Sequence, residues 1–281
     1  MRKPKFFEQI LYQIGLGLVA LFVLVPIWEL AYLAFDGSVR GWPTTFRFWP
    51  QQFTLSIFQQ MWVHPGQTVT FLAALRNSLI VSGGAALLCI GLGTSMAYAF
   101  ARFRFPGRQA GLFALLVGTL LPPVALMTPF FILMNGLHLR TTLLGLVIVY
   151  TSFSLPFAIW NMRAAFQSVP KELEEAAFLD GATHWVSFLR VSLPLALPSI
   201  AIAALVAFLL GYSEFVMGWL FVERSDLVTL AMAISGILDG SSHSWTWLAA
   251  LSVLMTLPVI IIFLILQRSL LDRMMIGSIN D

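Results

Sequence analysis

Long apolar runs alternate with short polar gaps along this chain. Six runs reach the roughly 20 residues that a helix needs to cross the hydrocarbon core of a bilayer. They cover residues 10–34, 76–101, 110–134, 142–165, 193–220 and 245–266. The pattern predicts an all-α integral membrane protein with six transmembrane helices. Helix disruptors fall inside several spans: Pro122, Pro123 and Pro129 in the third, Pro156 in the fourth, Pro194 and Pro198 in the fifth, Pro258 in the sixth. Each removes a backbone hydrogen bond and tends to kink its helix. In lipid the freed carbonyls must be satisfied by neighbouring helices or cavity water, as in a pore. Gly83, Gly84, Gly91 and Gly93 predict close helix approach along the second span.

Composition points the same way. The chain is 59% hydrophobic and 10% charged, whereas a soluble domain carries about 25% charged residues. A single soluble core could not hide that much apolar surface. The one cysteine, Cys89, excludes an internal disulfide and a multi-thiolate metal site, and its Gly-rich apolar setting reads as packing.

Charge adds orientation. Arg2, Lys3 and Lys5 open the chain, and Arg102, Arg104 and Arg108 follow the second span. Arg163, Lys171 and Arg190 flank the gap after the fourth, and Arg268 and Arg273 follow the sixth. The alternate gaps hold only Arg40, Arg47, Arg76, Arg140 and Arg224. The positive-inside rule then predicts that both termini and the gap between spans four and five are cytoplasmic. The basic start, apolar run and Ala31-Tyr32-Leu33-Ala34 imitate a secretory signal, but the run is too long and Glu29 precedes the would-be cleavage point. Span one is therefore expected to stay as an anchor.

Residues 36–75 carry Trp42, Trp49, Trp62, Pro43, Pro50 and Pro65 and are expected outside. They suit an interfacial aromatic belt or a docking surface for an external partner. The expected organisation is an anchor span with external loop over 1–75 and a core of five spans over 76–281.

The gap between spans four and five carries the most specific chemistry. Ser168 is placed to cap a helix starting near Pro170, where a missing N–H costs nothing. Glu172, Glu174 and Glu175 put negative charge in its first turns, which the helix dipole favours. Leu173, Ala176 and Ala177 share a face, and Gly181 can end the helix in a left-handed conformation. A second short helix then carries Trp185, Phe188 and Leu189 on one face until Pro194 opens span five. This helix–turn–helix has small Ala176 and Ala177 for close approach by another protein, and Glu175 to meet an arginine. Three glutamates beside anionic headgroups argue against an element that merely rests on lipid.

The order Glu175-Ala176-Ala177, three residues, Gly181, nine residues, Val191-Ser192-Leu193-Pro194 resembles the EAA loop of permease subunits in binding-protein-dependent ABC importers. Val191 stands where that family usually has Ile. Arg76-Asn77-Ser78-Leu79 looks like the start of the second family span, and Tyr98-Ala99-Phe100-Ala101-Arg102-Phe103 with Pro106-Gly107 looks like its end. Ser154-Leu155-Pro156-Phe157-Ala158-Ile159-Trp160, followed by Val169-Pro170-Lys171-Glu172-Leu173-Glu174-Glu175, is similar to the sugar-importing, MalG-like branch.

The resemblance implies a type I importer permease fold in a bacterial or archaeal plasma membrane. It implies a homologous second permease, two cytoplasmic ATPase subunits and an external substrate-binding protein as partners. It also implies that the loop over about 166–194 couples to the ATPases, through Glu174, Glu175, Ala176, Ala177, Phe178, Asp180, Gly181, Leu193 and Pro194. The implied cargo is a mono- or oligosaccharide, with a polyol, a glycerol phosphate or another small solute as alternatives. Two places depart from the family pattern. Gly211-Tyr212-Ser213-Glu214-Phe215 stands where a Trp-Asn often precedes the glutamate, and the ending Met274-Met275-Ile276-Gly277-Ser278-Ile279-Asn280-Asp281 lacks the usual Gly- and Lys-containing tail.

A charge at the bilayer centre costs roughly 2.5–3.5 kcal/mol, so Glu214 should face the bundle interior or an interface. Glu214, Tyr212, Asn161, Ser152, Phe153 and Asn135 are the candidate substrate-pathway residues, against the plainer reading that each is a packing or structural group. The region 222–244, with Glu223, Arg224, Asp226, Asp239 and His243, reads either as an interfacial helix or as a reach toward the binding protein.

Lysine occurs only at Lys3, Lys5 and Lys171, none in a phosphate-binding pattern. ATP and Mg are therefore expected on the partner ATPases, with no cofactor and no enzymatic activity in this chain. His64, His138, His184 and His243 have no metal-ligand spacing, so no metal is expected. The basic residues are too few and too juxtamembrane to predict nucleic-acid binding. A secondary transporter, the rival outside this class, would show internal repeats and paired intramembrane charges, and neither is seen.

Overall fold

The computed structural model describes residues 6–39, 41, 43, 45–65, 69–239 and 245–277. Arg2, Lys3, Lys5, Arg40, Trp42, His243 and the chain end from Ser278 lie outside the described residues, as do the side chains of Asp239, Arg268 and Arg273. The described chain is helical apart from its connections and one isolated β-bridge between Asp36 and Phe53. Five helices are long and apolar enough to cross a membrane, and six spans result if one bent pair counts as a span. Packing divides the chain into two compact units, Met1–Phe71 with Ile234–Leu257 and Leu72–Ala233 with Pro258–Asp281.

In the first unit, the most apolar stretch of helix α1 (Phe6–Phe35) is unburied, as expected of a span surrounded by lipid, and only its end at Tyr32, Leu33 and Ala34 is buried. The loop after it is organised by Asp36, whose carboxylate accepts hydrogen bonds from Ser38 N (2.9 Å), Ser38 Oγ (2.7 Å), Gln51 N (3.0 Å) and Gln52 N (3.2 Å). Phe35 packs on Phe53 and Phe58, the latter on α2 (Ser56–Val63). The Trp28 indole donates to the carbonyl of Phe48 at 2.9 Å, and its ring meets Trp49 edge-on. The aromatic stretch thus folds as a ring-packed cap on the end of α1.

The second unit is built around α3 (Phe71–Arg102), α6 (Leu143–Ser168) and α9 (Leu193–Ser213). A Cβ on Gly84 would meet Val147 at 2.9 Å, and one on Gly93 would meet Met162 at 2.8 Å and Leu155 at 3.3 Å. These two glycines set the close crossing of α3 and α6. Gly83 and Gly91 face open space, so only half of the expected glycine set makes the contact. Gly211 brings α9 against Ser82 and Tyr150. The buried hydroxyls of Thr151 and Ser154 donate to carbonyls four residues earlier, satisfying themselves inside an apolar span.

The third span differs from expectation. It is two helices, α4 (Arg108–Leu120) and α5 (Met127–Gly136), bent by 106° about a short 3₁₀ turn at Pro123–Leu126. Leu121 and Pro122 each precede a proline and are extended, with ψ of 125° and 134°, because a following ring excludes the helical conformation. Pro156, Pro198 and Pro258 instead sit within unbroken helices. The fifth span starts earlier and ends sooner than the apolar run suggested, covering His184–Ser213.

Two connections hold the other end of this unit. Asn77, buried on α3, donates to the carbonyls of Asp226 and Val228 at 2.8 and 3.0 Å, and Ser78 Oγ accepts from the first amide of α11 (Leu230–Asp239) at 2.8 Å. In the turn between α5 and α6, Thr141 donates through its amide and hydroxyl to the carbonyl of Phe221, while Arg140 pairs with Glu223.

Candidate functional site

The loop between α6 and α9 is built by its own sequence. Val169 is extended because Pro170 follows, which stops α6 at Ser168. Ser168 does not cap the next helix, contrary to expectation; it closes α6 by donating to the carbonyl of Ala165 at 2.8 Å. Helix α7 (Lys171–Leu179) begins beside Pro170 with Glu172 and Glu174 in its first turn. It ends in a Schellman motif: Gly181 N donates to Phe178 O at 3.0 Å and Ala182 N to Ala177 O at 2.9 Å. Gly181 holds φ at +84°, the left-handed region that favours glycine.

Thr183 Oγ1 then accepts from Val186 N and starts α8 (His184–Ser187). A π turn at Phe188–Ser192 carries α8 without a break into α9. The turn widens the helix just ahead of Pro194, whose ring would otherwise press on the carbonyl four residues back. Leu193 and Pro194 therefore lie within a continuous helix and do not open the span. Phe188 is buried with the Trp185 ring packed 5.5 Å from its own, whereas Trp185 and Leu189 stay largely exposed.

The inward side of the loop converges on Glu174. This residue is 6% exposed. Its carboxylate pairs with Arg102 Nε at 2.8 Å and accepts from the hydroxyls of Tyr98 (3.4 Å) and Ser192. Arg102 also donates to the carbonyl of Val169 at 2.8 Å. One carboxylate thus ties α7 to the end of α3 and to the π turn, and its arginine reaches the end of α6. Around it Tyr98, Phe166 and Phe188 pack ring against ring, with centroids 4.7–6.1 Å apart. Tyr98 and Arg102 are one helical turn apart on α3 and so reach the same spot. Sequence reasoning quoted both residues but assigned them no role here.

The outward side is different. Glu175, Ala176 and Asp180 are exposed, and so are Leu173, Leu179, Trp185 and Leu189. Leu179 is 90% exposed. Ala177 and Phe178 are half-buried, Phe178 against His184.

The six pathway candidates do not form one cluster. Tyr212 is buried and stacked on Phe208. Glu214 lies in the break between α9 and α10 (Val216–Phe221), where its carboxylate accepts from Val216 N at 2.8 Å and Met217 N at 3.1 Å. Its own carbonyl accepts from Tyr150 Oη at 3.4 Å. Phe153 packs on Phe130, exposed Ser152 donates to Ile148 O, and Asn135 is exposed near the end of α5. Asn161 is half-buried with its Oδ1 unpartnered. It lies nine residues beyond Ser152, about 13 Å along α6.

Residues 89–276, which include the whole loop, match the family described as "Binding-protein-dependent transport system inner membrane component". The chain belongs to this family. Family members nearby include the trehalose transport system permease protein SugB of Mycobacterium tuberculosis, 32% identical over 212 residues, which is 75% of this chain and 77% of SugB. The maltose/maltodextrin transport system permease protein MalG of Escherichia coli is 32% identical over 211 residues, 73% of this chain and 71% of MalG. In fold, the chain is similar to a bacterial ABC transporter involved in the import of the acidic polysaccharide alginate. That match has a TM-score of 0.76 at 23% identity and covers 95% of this chain and 99% of the other. The chain is thus a multi-pass inner-membrane permease subunit of an ABC importer with the type I permease fold.

Proposed function

We propose that this permease forms one half of the pore of an ATP-driven saccharide importer and receives the stroke of the ATPases on the outer face of α7. The saccharide reading is supported by the relatives: trehalose, maltose or maltodextrin, and alginate are all saccharides. The coupling reading is carried by the two-sidedness of α7. Glu174 is turned inward onto Arg102, while Glu175, Ala176 and Leu179 are turned out. Exposed leucines among carboxylates suit a protein cleft with a cationic rim better than anionic headgroups.

In this mechanism ATP closes the dimer of partner ATPase subunits and draws the coupling loops of two permeases together. Because Arg102 and Ser192 fix α7 to the spans, the displacement passes on as rotation of the spans, which turn outward as the external binding protein releases its ligand. ATP and Mg stay on the partners. In this reading both termini and the loop face the cytoplasm, the side the arginine and lysine distribution predicts. Ser152, Asn135 and Asn161 are the residues we assign to contact with cargo. Tyr212, Phe153 and Glu214 support the helices around it.

Gly181→Val tests the coupling. A β-branched residue at φ +84° strains the turn by roughly 1–2 kcal/mol or more and misdirects α8. The variant should insert normally and leave ATPase activity, yet lose uptake driven by the binding protein. Unchanged uptake would contradict the coupling role.

A further inference from the structure

Three arginines gather at one end of the spans with no acidic partner among the described residues. Arg104 lies in the turn between α3 and α4, Arg108 opens α4, and Arg163 lies in the last turns of α6. The Nε–H groups of Arg108 and Arg163 donate to the same oxygen, the carbonyl of Phe100, at 3.0 and 3.4 Å. Two cations on one neutral acceptor repel each other. Among the described residues neither is paired with a carboxylate; the ion pairs belong to Arg102, Arg140 and Arg224. Arg163 also lies over the ring of Trp160, 5.3 Å from its centroid, which orients the guanidinium without neutralising it.

An open hollow of about 520 Å³ adjoins this pair, lined by Arg104, Phe105, Gly107, Arg108, Gln109 and Ala110. Gly107 gives α4 no side-chain cap, so no side chain offsets the positive end of its dipole. Further along α4, Phe113 and Leu120 are exposed at 67% and 74%. A cationic hollow at a span end therefore continues into an uncovered apolar helix face.

We propose that this hollow binds the headgroup of an anionic phospholipid, its phosphate neutralising Arg104 and Arg108, beside Arg163, while its acyl chains lie along α4. Guanidinium groups take phosphate oxygens through forked, charge-assisted hydrogen bonds. The span ends stand at headgroup depth, and a lipid covers both the charge and the apolar face. A free phosphate would cover only the charge.

The test is native mass spectrometry of the full chain with its copurifying subunits, released from nanodiscs of phosphatidylcholine containing phosphatidylglycerol. The expected result is selective retention of phosphatidylglycerol. Arg104→Gln and Arg108→Gln should each reduce that retention about fivefold. Arg104 makes no hydrogen bond or ion pair among the described residues, so its variant separates lipid loss from misfolding. Equal retention of both lipids, or unchanged retention in the two variants, would overturn the proposal. So would displacement of the lipid by inorganic phosphate, which would assign a free anion. Loss of retention only when the ATPase subunits are present would assign a protein contact and overturn it equally.

Discussion

At the scale of single residues, two carboxylates do unlike work. Glu174 is buried with a guanidinium and two hydroxyls, and removing one partner of such a pair leaves the other charge stranded, at about 3–5 kcal/mol. Glu174→Ala and Arg102→Ala should each lower the thermal stability of the detergent-purified protein. The double variant should cost less than the sum, because neither charge is then left alone. Additive losses would mean the pair is not coupled.

Asp36 is the second. Burial pushes its carboxyl upward, but the hydrogen bonds from Ser38, Gln51 and Gln52 outweigh this and hold it below the usual carboxylate range. A group lowered on folding stabilises the fold above its ordinary value, and the contribution is lost as pH falls through the lowered one. The loop should thus hold at neutral pH and loosen only below about pH 4. Exchange of the Gln51 and Gln52 amides, corrected for intrinsic rates, should accelerate there, and Asp36→Asn should remove the pH dependence. An Asp36→Asn profile identical to the parent's would show that Asp36 does not control the loop.

At the scale of elements, the α3–α6 crossing rests on Gly84 facing Val147. Val147 is stiff about χ1 and cannot yield easily, so Gly84→Ala should destabilise by about 1–3 kcal/mol. Gly83→Ala, which meets open space, should be neutral or slightly favourable. Equal effects of the two substitutions on unfolding temperature would contradict the close crossing. This asymmetry was not legible in the sequence, because four glycines in one apolar run look alike until helix rotation is known.

The spans themselves were legible, since length and hydropathy alone require them. The 106° bend in the third was not. Eight prolines lie within the apolar runs, and those that break a helix are the adjacent pair Pro122 and Pro123. The loop between α6 and α9 was legible as two helices with Gly181 between them. What escaped was the partner of Glu174, because Arg102 is 72 residues away in sequence and only the folded α3 brings it near.

At the scale of the whole molecule, the central claim is that a rigidly held α7 offers its outer face to an ATPase. The same topology predicts that a cysteine at Leu179 is labelled only from the cytoplasmic side and one at Phe53 only from outside; the reverse pattern would invert the assembly. The most direct measurement is site-specific photocrosslinking in native membranes, with a photoreactive amino acid at Leu179 or at Ala176. The account predicts an adduct with a P-loop ATPase subunit at both positions, with a yield that changes when ATP is trapped. Adducts with lipid alone, or none to any ATPase, would contradict it.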